Sequence, residues 1–201
     1  MVQRPKPEKF DKQARAYAVK REAAILIDWR RRLLEAAEGQ VLELAVGAGA
    51  NFPYYPPGVR VTAVDFSGGM LEQARRAAAR CRLEAQFVCG DIEHMPALFP
   101  EQGFDTVIST LSLCAYEHPL AVLQQMRRWC RPTGRILLLE HGKSTNRMLS
   151  LLQKAADPLL YRMAGCHHTR DIAALVQEAG LRVEGMERCW LGMGSLIWAR
   201  P

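Results

Sequence analysis

The chain has 201 residues, 49% of them hydrophobic and 24% charged, with a net charge of +6. That is the size and composition of one soluble globular domain with a full core, and no apolar run approaches the roughly 18 residues needed to span a bilayer. The start, MVQRPKPEKF, lacks the apolar core of a signal peptide, so a cytoplasmic location is the default expectation, and six scattered cysteines without a CxxC pair read as free thiols.

Helical spacing predicts helices over 7–20 and 21–38, the second ended by Gly39. This arm, residues 1–38, carries most of the basic excess. Residues 1–40 hold ten Lys/Arg against six Asp/Glu, a balance that suits an acidic membrane surface or nucleic acid but reads first as a solvated helix face. A buried strand follows at 40–45. Prolines 53, 56 and 57 limit any helix in 51–58 to one turn. Strand two is 60–65, and Ser67 caps a helix running to about 80. Strands three and four are 85–89 and 104–109. A helix over 119–130 stops at Pro132 and Gly134, and RILLLE, 135–140, is strand five. Residues 145–163 are helical, Thr169 caps a helix ending at Gly180, and strands at 181–188 and 193–199 suit an antiparallel hairpin. Strands alternating with helices predict an α/β chain: a Rossmann-like, seven-stranded, mostly parallel sheet with an antiparallel last strand and helices on both faces. Residues 1–201 read as a single domain.

The richest stretch is VLELAVGAGANF followed by VTAVDFS. An apolar strand, a glycine turn and a second strand ending in Asp65 form a nucleotide-binding layout. Gly47 and Gly49 let the backbone turn sharply near a ligand. Asp65, 22 residues after Glu43, can accept from both hydroxyls of a ribose. A P-loop would need Lys and Ser/Thr after the glycines, and none follows Gly49. A dinucleotide site wants a small residue where Phe52 and Pro53 stand. S-adenosylmethionine has a ribose and an adenine but no phosphate, and fits the pattern best.

Five segments in order, LELAVGAGA, VDFSGGML, CGDIEHMP, FDTVISTLSLC and RPTGRILLLEHG, resemble the class I S-adenosylmethionine-dependent methyltransferases over nearly the whole chain. ANFPYYPPGVRVTAVD and TLSLC resemble the small thiol methyltransferase-like group and the phosphatidylethanolamine N-methyltransferases, near the ubiquinone/menaquinone C-methyltransferases. The resemblance implies S-adenosyl-L-methionine as cofactor and S-adenosyl-L-homocysteine as product. It implies Glu43, Ala45, Gly47 and Gly49 around the methionine part, with Ala45 standing where the family usually has glycine. It places Asp65 on the ribose, Phe66, Met70 and Ile92 on the adenine ring, and Asp91 on its amino group. Thr110 falls where the methionine end meets the acceptor, and Tyr17 closes over the cofactor, although Ala18 stands where the motif has Asp.

Methyl transfer from a sulfonium needs alignment and exclusion of water, and a base only for an acceptor that must lose a proton. His118, His141 and Asp157 are the candidate catalytic groups near the strand ends. Cys114 reads as a small buried hydrophobe. Cys166, His167 and His168 read as a loop near a helix cap, so no metal is expected. The run STLS after strand four is not the (D/N/S)PP(Y/F) signature of base-amine methylation, no Pro-Cys pair of the cytosine-C5 kind occurs, and no RNA-binding patch is visible, so no nucleic acid is expected. The expected acceptor is small and lipophilic or thiol-bearing, recognised by the N-terminal helices and a lid at 143–168. Alternatives are a phospholipid or quinone-type acceptor reached by peripheral membrane contact and, in another class, a non-catalytic cofactor-binding protein, which the Ala45 departure motivates.

Overall fold

A computed structural model describes residues 7–19, 22–95, 97–164 and 166–201. The expectations that touch residues 1–6, 20, 21, Pro96 and Gly165 lie outside the described residues. Seven strands form one sheet in the order β3-β2-β1-β4-β5-β7-β6. They are β1 (Gln40–Leu44), β2 (Arg60–Asp65), β3 (Ala85–Cys89), β4 (Phe104–Thr110), β5 (Cys130–His141), β6 (Arg182–Cys189) and β7 (Gly194–Arg200). The first five run parallel, and β7 lies antiparallel to both β5 and β6. The expected sheet is therefore the observed one.

Among the described residues six α-helices cover it: α1 (Pro7–Val19), α2 (Ala24–Leu34), α3 (Gly68–Cys81), α4 (Pro119–Trp129), α5 (Arg147–Ala164) and α6 (Ile172–Glu178). Strand side chains alternate between two faces. Val41, Ala63, Ile108 and Leu137 meet Leu33 of α2 and Leu71 of α3, while Leu42, Val107, Ile136 and Leu138 meet Met126 and Trp129 of α4. Each such fully buried side chain contributes about 1.5–3 kcal/mol, which is why the central strands read as unbroken apolar runs.

Of the boundaries that differ from the sequence reading, three have a clear local reason. Helix α2 stops at Leu34 because Thr106 Oγ captures both the N–H and the C=O of Glu38, at 3.0 and 2.9 Å, and Asp105 accepts from Gln40 N. Strand β5 begins at Cys130, opposite Phe104, and carries Pro132 and Gly134 through a register shift rather than a loop. The cap of α6 is Asp171, which accepts from Ala174 N at 3.1 Å, and not Thr169. Thr169 and Arg170 lie ahead of the helix, and Arg170 O accepts from Lys143 N.

From β1 the chain moves outward through β2 and β3, then returns to place β4 on the other side of β1. The crevice at the carboxyl ends of β1, β2 and β4 is thus the topological switch point where open α/β sheets bind ligands.

Candidate active site

The glycine turn leaves β1 with Ala45 at φ +49°, Gly47 at +56° and Gly49 at +82°. A Cβ at Gly49 would overlap the Phe52 ring, whereas one at Gly47 would meet nothing within 4 Å. Gly49 thus serves packing, and Gly47 faces open cavity. Asp65 closes the turn. Its Oδ2 accepts from Gly47 N and its Oδ1 from Ser67 N, both at 2.9 Å. Ser67 in turn caps α3 by accepting from Met70 N.

A cavity of about 810 Å³ opens on this edge, within the range of small-molecule sites. Of the residues expected there, Tyr17, Glu43, Ala45, Gly47, Gly49, Asp65, Phe66, Met70, Ile92 and Thr110 all border it. Asp91 is the exception. Its Oδ1 accepts from Glu93 N in an Asx turn and its Oδ2 meets His94 Nδ1 at 3.0 Å, while Gly90 and Ile92 on either side face the cavity. Helix α1 forms one wall. Phe10 packs on Phe66 with ring centroids 5.3 Å apart, and Tyr17, its hydroxyl pKa raised by burial, reaches the same space.

Under the turn lies a buried polar network. Arg30, 5% exposed, donates to both oxygens of Glu22, to Asn51 Oδ1 at 2.7 Å and to Thr110 Oγ at 3.1 Å. Asn51 Nδ2 passes the chain on to Glu43 Oε1 at 2.8 Å, and Tyr55 O–H donates to Glu43 Oε2 at 2.7 Å. Burial pushes the Glu43 carboxyl up to about 7, against the opposing pull of Tyr55, Asn51 and Arg30. Arg30 is therefore no part of a solvated basic face, unlike its exposed neighbours Arg31 and Arg32. Its helical register was the available signal: four residues before Leu34, it shares that residue's inward stripe.

Another part of the cavity wall is built from two loops, one after β4 and one after α5. Cys166 borders it, with Ser112 and Tyr116. Glu140, at the end of β5, is wholly buried and holds the loop after β4. It accepts from Ser109 O–H at 2.6 Å and from the N–H groups of Ser112 and Leu113. Asp157 of α5 does the same for the loop after α5, accepting from His167 Nδ1 at 2.8 Å and His168 N at 2.7 Å. Burial alone would raise the Asp157 carboxyl, but the two histidine donors outweigh it and hold it below the ordinary range. His141 stacks on His168, ring centroids 4.7 Å apart. Of the three expected catalytic groups, His141 stands beside Cys166 of the cavity wall, their ligand atoms within 4.8 Å of each other. His118 lies at the start of α4, its backbone N–H on Glu93 at 2.6 Å.

A methyltransferase-domain family profile matches residues 42–138. A phosphatidylethanolamine N-methyltransferase from Cereibacter sphaeroides is 32% identical over 82% of this chain and 79% of its own length. The thiol S-methyltransferase TMT1B of Rattus norvegicus is 33% identical over 71% of this chain, which spans 59% of that relative. The crystal structure of a SAM-dependent methyltransferase from Aquifex aeolicus superposes with a TM-score of 0.65 at 17% identity, covering 97% of this chain and 98% of that one. The chain belongs to the class I S-adenosylmethionine-dependent methyltransferases, and S-adenosyl-L-methionine is its cofactor. The residues present fit that group: an acidic side chain at the end of β2, and a turn whose Gly47 leaves space where a side chain would intrude.

Proposed function

We propose that this protein methylates a small lipophilic or thiol-bearing acceptor that enters at the end of the cavity walled by Leu26, Ile27, Ser112, Tyr116 and Cys166. The single observation that supports this most is that one cavity is bordered both by Asp65 and by these five residues. Asp65 would hold the ribose, the backbone of Gly47 and Gly49 the methionine part, and Phe66, Met70 and Ile92 the adenine. The cofactor supplies an activated methyl group. The chain's own task is to align the acceptor and keep water out, with α1 closing one side through Phe10 and Tyr17 and residues 143–168 serving as the acceptor's cover.

The experiment is transfer of labelled methyl groups to a panel of thiols, quinols, phenols and phosphatidylethanolamine vesicles. Transfer to a thiol or lipophilic member, lost in Asp65→Ala, is the expected result. Cofactor binding without transfer to any member would favour a non-catalytic binding protein.

One observation supports a second reading, an acceptor taken from a membrane surface. Helix α5 exposes Met148, Leu151, Leu152 and Leu159, each at least 64% exposed. Beside them is a second cavity of about 420 Å³ bordered by Lys143, Arg147, Lys154 and Arg188. Apolar side chains next to clustered lysine and arginine suit an anionic lipid interface.

A further inference from the structure

Three elements far apart in sequence deliver a soft-ligand cluster that meets the cavity at Cys166. Cys114 comes from the loop after β4, His141 from the end of β5, and Cys166 from the loop after α5. Their two Sγ atoms and a ring nitrogen of His141 all lie within 4.8 Å of one another. We propose that Cys114, His141 and Cys166 form a Cys2His site for a zinc-type divalent cation, with its fourth position turned toward the acceptor cavity.

The geometry is near what such an ion requires. Zinc binds cysteine sulfur at about 2.3 Å and histidine nitrogen at about 2.0 Å, so tetrahedral ligand atoms sit about 3.5–3.8 Å apart. Closing the present triangle takes roughly an ångström of side-chain movement at most, well within rotamer adjustment. Two thiolates and one imidazole neutralise a divalent cation. Thiolate and imidazole donors select zinc over calcium or magnesium, which take oxygen.

The supports are those of an ordered site rather than a chance meeting of thiols. Glu140 pins the loop that carries Cys114 through two backbone N–H groups. Asp157 pins the loop that carries Cys166. The loops are also tied to each other, His167 N donating to Cys114 O at 3.0 Å. His168 stacks on the His141 ring and fixes its plane. Outer partners of this kind orient metal ligands.

Cys114 is fully buried and Cys166 borders the cavity, so an ion here is approached from the cavity side. Three protein ligands with one position open is the arrangement of catalytic rather than structural zinc. If, as proposed above, the acceptor is a thiol, a cation held by these three residues would bind its sulfur as thiolate, the proton leaving to water. No base is then needed. The sequence expectation of no metal considered only the adjacent Cys166, His167 and His168; the fold replaces the two histidines with Cys114 and His141.

The test is metal content of the full chain after incubation with zinc and dialysis, and the visible spectrum after cobalt substitution. About one zinc per chain is expected, with a thiolate-to-cobalt charge-transfer band. Both should be lost in Cys166→Ser and in His141→Gln, and kept in Cys189→Ser. Asp157→Asn should retain the site with about 10-fold weaker zinc affinity. Circular dichroism melting shows whether each variant is folded; should Cys114→Ser fail to fold, the other two carry the test. Wild-type protein that retains no zinc and gives no cobalt band overturns the proposal, as does a Cys114–Cys166 disulfide that forms equally fast with and without zinc. Zinc bound without methyl transfer would leave this site standing and defeat the acceptor reading; thiol methylation by zinc-free, chelator-treated protein at the full rate would remove the metal's role.

Discussion

Asp11 Oδ1 accepts from Ser67 Oγ at 2.5 Å, and the same oxygen accepts from Gly69 N at 2.8 Å. Ser67 is the cap of α3 and follows the Asp65–Phe66 edge of the cofactor cavity. One carboxylate on α1 therefore fastens the arm to the first turn of the helix behind the cofactor, where a negative charge is also favoured by the helix dipole.

Asp11→Ala is expected to release α1 and weaken cofactor binding, since Phe10 would lose its seat on Phe66. Titration calorimetry and proteolysis of the arm measure both effects. The hydroxyl of Ser67 and the N–H of Gly69 hold the Asp11 carboxyl below its ordinary 3.8. A lowered native pKa means the fastening is complete above that ordinary value and is lost as pH falls through the native one. Arm protection that is identical in wild type and Asp11→Ala at neutral pH would contradict this picture.

Asp65→Asn keeps one acceptor oxygen and removes the charge. A hydrogen bond to a charged group is worth about 1.5–3 kcal/mol, so cofactor affinity should fall about 10- to 100-fold. Asp65→Ala should fall further, because the Gly47 N–H also loses its partner. Unchanged affinity in both would remove the ribose role.

Glu43 gives a pH signature. Its native pKa is raised from 4.5 to about 7 by burial. The charged form is thus disfavoured in the folded state, and its destabilising effect is absent below the unfolded value and complete above the native one. Relative to wild type, Glu43→Gln should gain stability as pH rises from 4.5 to 7, by about 3 kcal/mol at most. Urea denaturation at several pH values measures the difference. A gap that stays flat across this window would show that Arg30 already neutralises the carboxylate.

Ala45→Gly addresses the family's missing glycine. At φ +49° an alanine sits in the left-handed region at about 1–2 kcal/mol. Removing its methyl, which packs on the core without being fully buried, loses less than about 0.8 kcal/mol. The strain term is the larger, so the variant should melt a few degrees higher, about 2–4 °C per kcal/mol. Cofactor affinity should not fall.

The parts legible in sequence share one property: they are local. Apolar runs marked β1, β2, β4 and β5, and the glycine turn with Asp65 sits within a single strand-turn-strand unit. What stayed hidden depends on distant segments meeting. Helical register sets Arg30 apart from its neighbours, but its partners Asn51 and Thr110 come from two other segments. Cys114 and His141 had no visible link to Cys166 because β4, β5 and α5 had first to be placed. Asp91 takes its adenine role from the family resemblance of CGDIEHMP, and an aspartate after a glycine equally makes the Asx turn it forms.

The exposed face of α5 yields the last prediction. Leu151 and Leu152 are 65% and 67% exposed, so replacing both with glutamate removes little core packing and should change stability by about 0.5 kcal/mol or less per site. On a vesicle surface the same change is severe. Two apolar side chains leave the acyl boundary, and two negative charges oppose the lysines and arginines of the adjoining cavity. Sedimentation with anionic vesicles should therefore fall sharply, while methyl transfer to a water-soluble thiol stays near wild type. Replacing the exposed Lys12, Arg15 and Arg31 with glutamine tests the arm in the same assay, since a basic arm that carried the membrane contact would abolish sedimentation with α5 intact. Equal sedimentation of the wild type and the α5 variant would leave no membrane role for this helix, and its leucines would then be explained only as the outer side of an acceptor cover.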